Sequence, residues 1–405
     1  MGTAGEGSCE PQQARRDCAP RSRFGSGLSP NLPGTSPSQA KELLAALATR
    51  ALPLTAPIAM VLPTVGGSGV VATEMATALA ARGHEIHLLS YDRPGRLRRG
   101  IPGLRFHEVA VSAYPLFRYP PYDLALATRM LEVWEEAKID LFHVHYAIPH
   151  AVSAFLARSM CGGRLNFVTT LHGTDITVVG SDRAYLRPTR FALEQSDAVT
   201  AVSRYLADET HLMFGVKKDL DVVHNFVDTE RFQPVDHKPW HQRGDEERTI
   251  VHVSNFRPVK RVADVVRAFA SIQAKIPARL LLLGDGPDRE HALAVASDLG
   301  CQQRVDHAGI RDDLETILPK ADLFLSASET ESFGLSMLEA MSCGVPCVST
   351  DVGGVAEVIG DTGSLVPLGQ PEMMAQAAIE ILRDEDRHTE LARAARKRAI
   401  DCFST

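Results

Sequence analysis

The sequence predicts an α/β protein built as two doubly wound domains, and three observations carry that reading. Short apolar runs of strand length alternate with segments of helical period along most of the chain. Glycine-bearing turns follow the runs, as at Gly66-Gly67-Ser68-Gly69 and Gly284-Asp285-Gly286-Pro287. A polar stretch from Gln233 to Glu247, with Pro234, Pro239 and Gly244, divides the rhythm into two similar series. Strands alternating with helices form parallel sheets, and ligands of such sheets sit at the carboxyl ends of the strands.

The first series opens with a buried strand from Ala56 to Leu62, ended by Pro63. A helix over Val70 to Ala81 is stopped by Gly83, and Glu85 to Ser90 follows as a strand. Further strands are expected at Leu104 to Val109, Leu141 to His145, Phe167 to Leu171, Ala198 to Val202 and Asp221 to His224. The second series gives strands at Thr249 to Val253, Ala278 to Leu283, Arg304 to His307, Leu323 to Ser326 and Pro346 to Ser349. The expected domains are thus a first over 56–235, a linker over 236–248 and a second over 249–405.

Composition agrees. The 405 residues suffice for two or three domains, and 44% hydrophobic with 23% charged residues is ordinary globular usage. The first 40 residues hold 17 Gly, Pro or Ser, too few apolar groups to offset ordering entropy, so a disordered tail is expected over 1–55, with a short helix near Gln39 to Arg50. A net charge of −7 argues against a general nucleic-acid binder, though it allows a local basic pocket. No run of 18 apolar residues is present, and the basic residues of the first 38 precede no apolar core, so neither membrane insertion nor a signal peptide is expected. The seven scattered cysteines, including the Cys343-x3-Cys347 pair, read as reduced, partly buried thiols of a cytoplasmic protein.

Several segments carry the chemistry. Gly66 to Gly69 is either a tight strand-to-helix turn or a cradle of N–H groups for an anion; it lacks both the dinucleotide and the P-loop spacing. Asn255-Phe256-Arg257-Pro258-Val259-Lys260-Arg261 places three cations after the first strand of the second domain, where a diphosphate would be neutralised. Glu331 stands just before, and Glu339 within, a helix expected over Phe333 to Ser342; eight positions at 1.5 Å rise set them roughly 12 Å apart. The N–H groups of Phe333, Gly334 and Leu335 would face a ligand between them. His172 follows a strand in a Gly turn. His143, His145 and His150 raise a metal alternative, but no carboxylate stands at ligand spacing, so packed or hydrogen-bonded histidines are preferred and no metal is expected.

With Glu331-x7-Glu339 as its hallmark, the chain resembles the retaining glycosyltransferases of GT-B architecture, two Rossmann-like domains facing each other across a cleft. The resemblance runs from about Ile58 to Phe403. It is strongest, through His145-Tyr146-Ala147-Ile148-Pro149-His150, Leu171-His172-Gly173-Thr174-Asp175 and Ser254-Asn255-Phe256-Arg257, to members that pass N-acetylglucosamine from UDP-N-acetylglucosamine to L-malate at the start of bacillithiol biosynthesis. It implies no cofactor and no metal, with the donor's own diphosphate taking the acceptor proton. Lys260 would bind that diphosphate, with Arg257 supplying charge where the family carries Arg and this chain carries Asn255. Glu331 would hold sugar hydroxyls, Glu339 the ribose, and His172 would contact the sugar near its 6-hydroxyl. Gly67, Gly284 and Gly286 would line the donor, while Ser68, Tyr146, Thr170 and Arg190 would hold malate. A homodimer is compatible with the sequence. The family's last helix, crossing back to the first domain, is expected to be missing beyond Phe403. Related readings are transfer to an inositol phosphate, or UDP-sugar binding without turnover.

Overall fold

The computed structural model describes residues 56–404 apart from 65, 113, 114, 116, 117, 180, 181 and 236–246. The expected tail over 1–55, its short helix, and most of the expected linker lie outside the described residues.

The first domain is a seven-stranded parallel sheet ordered β3-β2-β1-β4-β5-β6-β7. Its strands are β1 Pro57–Val61, β2 Glu85–Ser90, β3 Leu104–Glu108, β4 Leu141–His145, β5 Phe167–Leu171, β6 Ala198–Ala201 and β7 Leu220–Val222. Period-two alternation along β1 sends Ile58 and Met60 to the face covered by helix α1 (Gly66–Ala81) and Ala59 and Val61 to the face covered by α2 (Tyr122–Ala137) and α3 (Val152–Met160). Helices α4 (Leu186–Gln195) and α5 (Arg204–Phe214) complete this domain.

The second domain repeats the plan with six parallel strands ordered β10-β9-β8-β11-β12-β13. They are β8 Arg248–Val253, β9 Ala278–Leu283, β10 Val305–Gly309, β11 Leu323–Ser326, β12 Cys347–Thr350 and β13 Ser364–Val366. Its helices include α6 (Val262–Gln273), α7 (Arg289–Asp298), α8 (Leu314–Ile317), α9 (Leu335–Ser342), α10 (Val355–Ile359), α11 (Pro371–Arg383) and α12 (Glu385–Phe403). Both sheets reverse their winding beside the first strand, between β1 and β4 and between β8 and β11. A crevice opens at each reversal, at the carboxyl ends of the strands.

Local chemistry shifts several expected boundaries. Helix α1 starts at Gly66 instead of Val70, so the glycine turn is itself the first helical turn. A Cβ on Gly69 would stand 2.5 Å from the Pro63 carbonyl oxygen, which keeps this entry closed to side chains. Helix α9 starts at Leu335 instead of Phe333, because Gly334 takes a left-handed φ of 95°. Strand β12 begins one residue after Pro346, whose ring nitrogen has no N–H for the ladder. Arg248, expected in the linker, opens β8, and the three-residue β13 was not foreseen.

The two domains share one apolar cluster that runs from Leu171 and Val199 to Phe333, Met337 and Phe403. Polar contacts add to it. Both carboxylate oxygens of Glu357 on α10 accept backbone N–H bonds, from Arg204 and Tyr205 at 2.8 Å each, so the second domain caps the N-terminus of α5. Arg231 pairs with Glu74 on α1 and Glu315 on α8, both at 3.0 Å. On α12, Arg396 donates to the carbonyls of Thr229, Phe232 and Ser342, and the Phe403 carbonyl accepts from Val227, so this helix secures the chain between the domains.

Candidate active site

The crevice between β8 and β11 is charged. The turn after β8 carries Asn255 and Arg257, both exposed, and Phe256, buried with a φ of 45°. It ends in the short helix Pro258–Lys260. The loop after β11 brings Glu331 to Lys260, Oε2 to Nζ 2.5 Å. These two charges neutralise each other at partial exposure, 21% for each side chain. Arg257 has no ion pair among the described residues; burial and Asp175 push the phenol of Tyr146 in the other domain up, and the charge of Arg257 is a small opposing influence on it. Gly284 and Gly286 are demanded by packing: a Cβ on either would stand 1.7 Å from the Ser254 oxygen or 2.1 Å from the Asn255 oxygen. They let the β9 turn nest against the β8 turn and thereby fix Asn255 and Arg257.

Helix α9 points its first turn at the same crevice, and its leading N–H groups have no carbonyl within the helix. Four residues upstream of Leu335, Glu331 is anchored by its own carbonyl, which accepts the Gly354 N–H at 2.9 Å. Phe333 is buried against His224 and Phe403, at ring separations of 5.9 and 5.6 Å. Glu339 is almost fully buried on α9. Burial pushes its carboxyl pKa up, and Arg96 opposes that shift through a bond of 2.9 Å. Arg96 belongs to the loop after β2, so the first domain reaches across the cleft to the carboxylate that the motif assigns to ribose.

The facing crevice, between β1 and β4, presents neutral groups to the cleft. Ser68 in the first turn of α1 bonds the Tyr146 hydroxyl at 2.9 Å, joining the loops after β1 and β4. Tyr146 sits at φ 89°, a conformation rare outside glycine, with its ring edge-on to His172 at 5.6 Å. Beneath it, His143 and His145 share one face of β4, stacked at 4.4 Å. His143 Nε2 meets the Thr170 hydroxyl at 2.6 Å, and His145 Nδ1 meets His172 Nε2 at 2.9 Å. Burial drives His143 and His150 down to about 4 and His172 down to about 3, so all three are neutral at pH 7.

The structure brings Ser68, Tyr146 and His172 together, and Arg257 of the second domain is near enough for its charge to act on Tyr146. It gives Thr170 a different setting: the side chain is buried, and its hydroxyl is engaged by His143 and by Thr200 at 2.7 Å. Arg190 stands on the exposed side of α4 and pairs with Glu194 one turn on. Gly67 is exposed at the start of α1.

Two organising residues escaped the sequence reading. Asp175 is buried, accepts the N–H groups of His172, Gly173 and Ala147 at 3.1, 2.9 and 3.2 Å, and so ties the loop after β5 to the loop after β4. An Asp three residues after His172 in a Gly turn signals such a side-chain-capped turn. Arg96 is the other; its signal was the run Arg93 to Arg99, four arginines after a strand in an acidic chain. Gly173 marks a close approach of the domains, since a Cβ there would stand 1.6 Å from the Ser332 hydroxyl. Cys161, Cys301, Cys343 and Cys347 are buried free thiols, as expected, and Cys402 is exposed.

Two Rossmann-like sheets, with an E-x7-E helix in one crevice and a hydroxyl-imidazole wall in the other, define a GT-B glycosyltransferase. The model of Glycosyltransferase Family 4 matches residues 65–231 and that of Glycosyl transferases group 1 matches 236–398. The chain is 49% identical over 346 residues, 84% of its length and 91% of the relative's, to the N-acetyl-alpha-D-glucosaminyl L-malate synthase of Bacillus anthracis. It is 29% identical to the D-inositol 3-phosphate glycosyltransferase of Mycobacterium marinum, covering 78% of this chain and 73% of that one. Among solved structures, sucrose-phosphate synthase from Thermosynechococcus elongatus superposes with a TM-score of 0.71 at 21% identity, over 86% of this chain and 95% of that one. The chain belongs to the GT-B glycosyltransferases, with a Family 4 first half and a group 1 second half.

Proposed function

We propose that this glycosyltransferase moves N-acetylglucosamine from UDP-N-acetylglucosamine to the hydroxyl of L-malate, with retention at the anomeric carbon and release of UDP, as the first step of bacillithiol biosynthesis. The observation that carries the substrates is the 49% identity, over nine-tenths of its length, to a relative named for that product. The two crevices are chemically suited to it. The charged one takes the donor: Lys260 leaves Glu331 for the diphosphate, Arg257 adds charge where Asn255 has none, and Glu331 turns to the sugar hydroxyls. Glu339 holds ribose, the N–H groups at Phe333, Gly334 and Leu335 face phosphate and sugar, and Gly67, Gly284 and Gly286 line the donor. The neutral one takes malate through Ser68 and Tyr146, with Thr170 behind them as a strut; the dianion's charge is met more readily by Arg257, which has no ion pair among the described residues, than by Arg190, which pairs with Glu194.

The reaction proceeds on the face from which the diphosphate departs. The bond from the anomeric carbon to the diphosphate oxygen breaks, the malate hydroxyl oxygen bonds to that carbon, and the malate proton passes to the departing diphosphate. Lys260 and the N–H groups of α9 stabilise the charge that develops there. His172, neutral at pH 7, aligns the sugar and acts as neither acid nor base. No helix among the described residues is long and apolar enough to cross a membrane, which fits action on two water-soluble substrates in the cytoplasm.

The test is UDP release from UDP-N-acetylglucosamine by the full chain with L-malate, with inositol phosphate or with no acceptor. Release with malate alone is expected. Release with inositol phosphate in its place transfers the assignment to that acceptor, and binding of UDP without release under any condition removes the transferase reading of the substrates.

A further inference from the structure

The neutral crevice leaves one polar atom unsatisfied. His145 is fully buried, and its Nε2 has no partner among the described residues. Its Nδ1 meets His172 Nε2 at 2.9 Å, and its backbone carbonyl accepts from His150 Nδ1–H. Two proton arrangements fit that contact. In one, His145 Nδ1–H donates, its bare Nε2 is a buried acceptor, and His172 carries its proton on Nδ1. In the other, His172 Nε2–H donates, and His145 is left with a buried Nε2–H that donates to nothing. An orphaned buried N–H is the rarer and costlier state. Burial holds both rings in the neutral form, which makes the choice one between tautomers and not between charges.

We propose that His145 is a positioning residue that fixes the tautomer of His172, so that His172 presents an Nδ1–H donor to the cleft. The hydrogen bond at one ring nitrogen sets what the other nitrogen offers. Stacking of His145 on His143, which is itself held by Thr170, in turn bonded to Thr200, keeps the donor aimed along one direction. Asp175 holds the backbone of His172 from the other side through its N–H, so the ring is restrained at two points. His172 then offers an N–H that a sugar hydroxyl oxygen accepts, and the bare Nε2 needed for a general base is occupied. The catalytic consequence rests on the reading that His172 contacts the donor sugar; the tautomer does not.

The experiment reads ring nitrogen shifts in the full chain labelled with 15N-histidine, with His172 assigned by its loss in His172→Gln. The expected spectrum shows His172 protonated at Nδ1 and bare at Nε2 from pH 6 to pH 9. A His172 protonated at Nε2 overturns the proposal, and this measurement needs no variant of His145 to fold. His145→Asn keeps an N–H at the position of Nδ1, whereas His145→Leu has none. The Asn variant is expected to keep the Nδ1–H form of His172 and kcat within about threefold, and the Leu variant to lose roughly tenfold in kcat with little change in KM for malate. Equal rates and equal tautomers in the two variants also overturn it. If the tautomer is as stated yet His172→Ala turns over normally, the contact between His172 and the sugar falls and the assignment of the proton stands.

Discussion

The crevice between β8 and β11 and the crevice between β1 and β4 occupy the same place in two sheets of the same winding, yet they hold opposite chemistry. The first is closed by an ion pair, Lys260 with Glu331, and bordered by Arg257. The second is closed by a hydroxyl pair, Ser68 with Tyr146, over neutral histidines. The fold supplies only the opening at the strand ends; residues in the two following turns decide what enters it. A partly exposed ion pair can exchange one partner for a diphosphate at little cost, because a charge is replaced by a charge. A buried hydroxyl-imidazole wall cannot accept charge so easily. It is suited to holding hydroxyls in fixed directions, so the charge of the proposed malate has to be met from the facing crevice, by Arg257.

Arg96 is where the comparison breaks most sharply, since it carries charge from the neutral domain into the charged one. Its side chain and that of Glu339 are 16% and 4% exposed. Arg96→Ala leaves a buried carboxylate unpaired and is expected to cost about 3–4 kcal/mol, read as a lower urea midpoint at pH 7. An unchanged midpoint would remove this pair from the coupling of the domains. Asp175, at the base of the neutral crevice, comes next. Burial raises its carboxyl to about 6 from 3.8, against the pull of the backbone N–H bonds it accepts. The folded state therefore holds this proton more tightly than the unfolded chain. The group's favourable contribution is complete below pH 4 and is lost as pH rises through 6, up to about 3 kcal/mol. Asp175→Asn should flatten the stability profile between pH 4 and pH 7; a variant with the wild-type slope would place the titration elsewhere.

Much of this was legible in the sequence, and for definable reasons. Strands such as Leu141–His145 and Phe167–Leu171 are buried along their whole length and bounded by turns, and their short runs rich in Leu, Phe, Val and Thr mark them as strands. Lys260 and Glu331 were found because both lie at strand ends within their own domain's motif. Arg96 and Glu339 stand 243 positions apart, and nothing local announces that one reaches the other. Asp175 has no role visible in its local motif, because its three N–H partners come from two loops. Thr170 reads as a ligand by position on β5, but its side chain falls on the face where His143 and Thr200 lie. The two residues by which Gly334 shortens α9 show the same limit, since a left-handed glycine at a helix entry is invisible to periodicity.

Lys260→Ala tests the charged crevice directly. It removes the cation proposed for the diphosphate and leaves Glu331 without its partner. Losing a charge-assisted contact of about 1.5–3 kcal/mol lowers turnover roughly 10- to 100-fold. Steady-state UDP release at saturating L-malate checks this, and a rate within threefold of wild type would sink the assignment of Lys260 to the leaving diphosphate.

Tyr146→Phe makes the matching change in the neutral crevice, and the expected effect is smaller. The substitution keeps the ring that stands edge-on to His172 and removes only the hydroxyl bonded to Ser68. A neutral hydrogen bond contributes about 0.5–1.5 kcal/mol, so a loss of roughly three- to tenfold is expected. It should fall on KM for the acceptor, with kcat and the affinity for UDP nearly unchanged, because the donor's diphosphate is held from the opposite crevice. The contrast with Lys260→Ala is the informative quantity: a kcat loss in the second domain against a KM loss in the first. If Tyr146→Phe instead lowers kcat as far as Lys260→Ala does, the two crevices do not divide the substrates between them, and the hydroxyl belongs with the groups that act on the reacting bond.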